Sequence, residues 1–144
     1  MASILHRLKI NCSPAELYAA ITLPAGLSAW WTEATLENQV GSVATFKFGP
    51  NGGHIVKMRI DGLLPDRQVR WQCVEGPWKD TGEFVFDIEQ QEDEVYLAFA
   101  HNGWSEQDGF FMHCNSKWGY FLVTSLKSYL ERGTGYPHPL DPSI

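Results

Sequence analysis

Hydrophobic and polar positions alternate from the start of the chain. In "SILHRLKIN", Ile4, Leu8 and Ile10 fall on one side and Arg7 and Lys9 on the other, the two-residue period of a half-buried strand. "SPAE" follows: Ser13 can cap, Pro14 suits a first helical position and Glu16 can reach back to Ser13, so a helix is predicted from about Pro14 to Ile21. "TLPAGLSAWW" restarts at Pro24 as a second short helix ending near Trp31. From Thr35 to Trp104 the runs "VATFKF", "HIVKMRIDGLL", "QVRWQCV", "GEFVFDIEQ" and "EVYLAFAHNGW", separated by "GPNGG", "LPDR", "EGPWKDTG" and "QQED", predict successive antiparallel strands. Val56, Met58 and Ile60 share a face, as do Val69, Trp71 and Cys73, then Phe84, Phe86 and Ile88, then Val95, Leu97, Phe99 and His101. Lys57, Arg59, Arg70, Gln72, Asp87 and Glu89 take the opposite side, so the sheet has one oily, aromatic face.

"MHCNSKWGYFLVTSLKSYLERG", from Met112 to Gly133, has the spacing of one long helix, opened by a capping pattern at Ser105 and Asp108 and stopped by Gly133. At 3.6 residues per turn Met112, Cys114, Trp118, Leu122, Val123, Leu126, Tyr129 and Leu130 span an apolar arc of about 200°, twice the usual width of roughly 100°. Asn115 and Gly119 fall near its middle. One helix on one curved sheet cannot cover so much apolar surface everywhere, because the sheet bends away at the ends. Either large aromatics fill the gap or a cavity remains for an apolar or aromatic molecule. In the cavity reading Trp30, Met58, Trp71, Phe84, Phe86, Phe99, Trp118 and Leu122 supply apolar contacts. His101 and Asn115 orient the ligand, and Gly119 lets it approach the helix backbone. In the solid reading Asn115 bonds a strand group and Gly119 admits a tryptophan.

Composition narrows the choices. The 144 residues, 44% hydrophobic and 19% charged, suit one domain, and six Trp and eight Phe are many rings to bury. A net charge of −6 with no basic run argues against nucleic acid. No signal peptide and no apolar run of about 18 residues is present, so a cytoplasmic protein without membrane contact is expected. Cys12, Cys73 and Cys114 are odd in number without a C-x-x-C pair, and are expected to be reduced. His113 and Cys114 are adjacent and diverge on a helix, so they form neither a metal site nor a nucleophile–base pair. His6 and His54 lack ligand partners at metal-binding spacing, and no cofactor is indicated. "GPNGGH" lacks the G-x-x-x-x-G-K-[ST] pattern and reads as a hairpin loop. His101, at the end of an inward strand face near Trp104, is the one candidate general acid or base.

The first strand followed by "SPAELYAAITLPAGLSAWW", the strands ending in "HNGW", and the last helix "WGYFLVTSLKSYLERGTGYP" resemble the START-like (SRPBCC) superfamily. Within it the chain is similar to single-domain relatives of the activator of the heat-shock protein 90 ATPase, over about Ile4 to Pro137. The resemblance implies an α+β helix-grip fold in one domain spanning residues 1–144, with a core over about 4–133 and a C-terminal tail over 134–144. A strand, two short helices, six further strands and a C-terminal helix would enclose an elongated cavity. It also implies a choice of roles: carrier of an apolar molecule, polyketide cyclase or aromatase, or co-chaperone. In the two-domain eukaryotic activator the domain that contacts the chaperone precedes the START-like part. This sequence starts at that part, so chaperone contact is the weaker expectation.

Overall fold

The computed structural model describes residues 1–144. Strand β1 (Ala2–Ile10) leads into α1 (Pro14–Thr22) and α2 (Pro24–Trp30), then β2 (Glu33–Thr35), β3 (Val43–Phe48), β4 (His54–Leu64), β5 (Gln68–Glu75), β6 (Phe84–Gln91) and β7 (Glu94–Trp104). The strands form one antiparallel sheet in the order β1-β7-β6-β5-β4-β3-β2. The C-terminal helix α3 covers residues 109–132, 24 residues, lying in the hollow of the sheet as the helix-grip fold requires.

Local chemistry explains the elements. Ser13 Oγ accepts from the Glu16 amide at 3.1 Å while Glu16 Oε1 accepts from the Ser13 amide at 3.0 Å, completing the capping box of α1. Trp30 Nε1 donates to Ala20 O at 2.8 Å and ties α2 to α1. Helix α3 is capped by Asp108, whose carboxylate accepts from the Phe111 amide at 3.0 Å; Ser105 plays no part in the cap. Gly133 ends it in the left-handed region at φ 83°. Between an α-helical start (Gly109–Gly119) and end (Lys127–Arg132), Tyr120–Leu126 is π-helical.

That wider middle corrects the apolar arc. Underwound turns rotate the second half of the helix relative to the first, so a single 3.6-residue wheel superposes two offset faces and exaggerates their joint width. The inward residues are Cys114, Trp118, Phe121, Leu122, Ser125 and Leu126. Met112 and Val123 point to solvent, 57% and 51% exposed.

Strand β7 carries a second irregularity. Ala2 pairs with Trp104 but Ile4 with His101, so β7 has one residue more than β1 across this step. Gly103 absorbs it at φ +77°, its Cα face so close to Gly82 that an added Cβ would stand 2.3 Å from Gly82 N. In a regular strand His101 and Trp104 would face opposite sides; here both are buried.

Residues 134–144 have no helix or strand yet fold back on the body. The His138 amide donates to Trp31 O at 2.7 Å, the Tyr136 amide to Ser125 Oγ at 2.7 Å, and Tyr120 Oη to Tyr136 O at 3.1 Å. Ser125 Oγ also donates to Trp30 O at 2.6 Å, so one hydroxyl joins α2, α3 and the tail.

Candidate functional site

The space between the middle of α3 and the sheet is filled by rings. Trp31 stacks on Trp30 and Trp71, with centroids 6.2 and 5.9 Å apart, and lies 4.5 Å from Phe46 and 5.0 Å from Trp118. Trp71 meets Phe86 at 4.8 Å, Phe86 meets Phe99 at 5.0 Å, and Phe99 meets Trp118 at 4.5 Å. Such contacts favour tilted and edge-on packing and leave little open volume.

A cavity of about 670 Å³ opens at one end of this interior. Phe110, Cys114, Trp118 and Phe121 of α3 form one wall, and Phe48, His54 and Val56 at the β3–β4 hairpin form the facing one. Pro77 and Trp78 of the turn before β6 close a third side, His138 and Asp141 of the tail a fourth, and Trp31 lies at the base.

Of the residues expected to meet a ligand, Trp118 alone lines this cavity. Trp30, Met58, Trp71, Phe84, Phe86, Phe99 and Leu122 are brought together in the packed core. Asn115 is exposed on the outer side of α3, where its backbone carbonyl is 3.2 Å from His6 Nε2. A Cβ on Gly119 would stand 3.4 Å from His6 Cε1, so the missing side chain makes room for the β1 imidazole. Trp31, one of the pair expected near the cavity mouth, does line it, whereas lining residues that the sequence pattern did not single out include Phe48, Trp78, Phe110, Phe121, His138 and Asp141. One of them left a signal: a tryptophan inside the turn "EGPWKDTG" is a large apolar group where small polar ones suffice.

The charged groups of the lining neutralise one another. Lys117 Nζ lies 2.6 Å from Asp141 Oδ2, and Asp141 Oδ1 lies 2.7 Å from His138 Nδ1. The Gly49 amide donates to His138 Nε2 at 3.0 Å, so that nitrogen carries a lone pair and Nδ1–H donates to Asp141. Burial alone would raise the Asp141 carboxyl, but the hydrogen bonds from Lys117 and His138 outweigh it and hold it below the usual carboxylate range. His138 thus resembles a catalytic base paired with a carboxylate, yet its second nitrogen is already engaged.

Cys114 accepts from Trp78 Nε1 at 3.4 Å, and burial pushes its thiol up, away from the reactive thiolate. His101 lies behind Trp78, fully buried, its face stacked on Phe84 with centroids 3.6 Å apart. Burial pushes its pKa down to about 3, so at neutral pH it has no proton to give as an imidazolium.

The description "Activator of Hsp90 ATPase homolog 1-like protein" belongs to the family model that matches residues 11–131. The solution structure of the Aha1 dimer from Colwellia psychrerythraea is 36% identical, with a TM-score of 0.81 over 94% of this chain and 100% of that one. A Staphylococcus saprophyticus protein is 15% identical with a TM-score of 0.77, covering 93% and 95% of the two chains. CalU16 from Micromonospora echinospora is 20% identical with a TM-score of 0.68, covering 84% and 71%; at such identities the likeness concerns the fold. No match was found among curated proteins. No helix is long and apolar enough to cross a membrane.

Proposed function

We propose, from the premise that this chain belongs to the Activator of Hsp90 ATPase homolog 1-like family, that it binds a small, neutral, aromatic or apolar molecule at the open end of its grip. The observation that carries this reading is the lining: a cavity of about 670 Å³, within the usual size range for small-molecule sites, walled by aromatic rings and with its one strong cation already paired. Burial of apolar surface, at about 25 cal/mol per Å², is the driving force, and a charged ligand would have to displace the Lys117–Asp141 pair. Proton transfer through His101 or His138 finds less support. His101 is neutral behind the wall, and the free-looking His138 has both nitrogens committed.

The test is quenching of the Trp31, Trp78 and Trp118 emission by naphthalene, a flavonoid and a fatty acid, with native mass spectrometry for stoichiometry. The aromatic compounds are expected to bind one per chain. Phe110 stands at the rim, 42% exposed, so Phe110→Ala should weaken binding by roughly three- to tenfold while leaving the fold intact. A flat titration with every compound would end this reading.

A further inference from the structure

We propose, resting on the reading of the outer cavity as an aromatic-binding site, that His101 Nδ1 and Trp104 Nε1 form an inner polar subsite for an aromatic hydroxyl, reached when Trp78 swings aside. These two atoms are the buried side-chain nitrogens without any hydrogen-bond partner. Buried polar groups are nearly always paired, so two orphans on neighbouring rings call for an explanation.

Their chemistry is complementary. The Thr81 hydroxyl donates to Trp78 O at 2.7 Å, and its oxygen, 2.7 Å from His101 Nε2, therefore accepts from the Nε2–H. That fixes the tautomer and leaves Nδ1 as a lone-pair acceptor, whereas an indole N–H can only donate. The two rings have centroids 4.9 Å apart. An acceptor beside a donor matches a hydroxyl, which gives one hydrogen bond and takes another. A ketone or ether satisfies only the indole, and a carboxylate would face the imidazole lone pair.

The arrangement is built by the backbone. Without the extra residue of β7 and the left-handed Gly103, Trp104 would point away from His101. It also lies one side chain behind the cavity. Trp78 lines the outer volume and meets His101 edge-on at 6.0 Å, while Phe110 lines it and packs on Trp104 at 5.7 Å. Trp78 is the part that has to move: it sits half-buried in an irregular turn, its indole held by one N–H···S contact of 3.4 Å and by edge-on packing on Phe84 at 5.5 Å and His101 at 6.0 Å.

The experiment compares 1-naphthol with naphthalene on 15N-labelled protein, following the Trp104 indole N–H and the His101 Nδ1 resonances together with affinity. We expect 1-naphthol to bind about tenfold tighter or better and to move both signals, and naphthalene to move neither. Trp104→Phe should remove the preference, so that 1-naphthol and naphthalene bind the variant with equal affinity, and His101→Asn provides a second variant should the first fold poorly. Equal affinities with both resonances still overturn the inner subsite and leave the outer cavity standing. If neither compound binds, the inner subsite and the outer cavity fall together.

Discussion

His101 is buried as a neutral base among Thr81, Phe84, Trp78 and Trp104, and this has a cost that depends on pH. An unfolded histidine takes up a proton near its ordinary value of 6.5, whereas the folded one does so only at about 3. Above pH 6.5 neither state carries that proton. Between pH 6.5 and 3 the unfolded state binds more protons, so stability falls as pH falls, by up to about 1.4 kcal/mol per unit from this one group. His101→Gln should flatten that slope between pH 6 and 4 in urea-midpoint measurements, and parallel slopes for the two proteins would refute the assignment. The imidazole's placement on an inward face was readable from the alternation of β7. Its loss of basicity was not, because desolvation comes from Phe84 and Trp78, which lie elsewhere in the chain. Asn115 shows the converse. A polar residue that the helical wheel puts inside an apolar arc is exposed, and it is its backbone carbonyl, not its side-chain amide, that meets β1.

Among the elements, those with a clean local period were legible to the residue: β3, β4 and β7 coincide with the alternating runs, and α1 begins at its capping box. Strand β2, three residues long, is too short to show a period, and its existence followed only from the family resemblance. The π-helical middle of α3 and the bulge in β7 escaped because neither changes composition; each is one residue out of step, fixed by what the element packs against. Gly103 makes the bulge testable. Gly103→Ala demands a left-handed backbone for an L side chain and places a methyl group 2.3 Å from Gly82 N, so β6 and β7 must part locally. A loss of at least about 2 kcal/mol is expected from chemical denaturation, far above the cost of an alanine at an ordinary strand position. A near-neutral effect would mean that the chain can straighten there and turn Trp104 outward.

In the whole molecule, the surplus of apolar surface is divided between two uses. Most of it goes into ring-on-ring packing from Trp30 through Trp118, which fills the space under the helix, and only the remainder, where the β3–β4 hairpin, the Trp78 turn and the tail diverge from α3, stays open. Amphipathic pattern measures how much apolar surface turns inward but not whether its shapes interlock, so the hollow was expected beside Asn115 and lies instead toward Phe110. A site made from the sheet, the helix and the tail together exists only in the folded state, and its occupant must stabilise the whole fold by mass action. At a free ligand concentration of 100 times its dissociation constant the gain is about 2.7 kcal/mol, which for a chain of this size raises the midpoint of thermal unfolding by roughly 8 °C. Because Lys117 is already matched by Asp141, a neutral aromatic ligand should give the same rise at low and high salt. A shift that shrinks steeply with added salt would place the driving force in charge rather than in burial, and would point to an anion competing for Lys117.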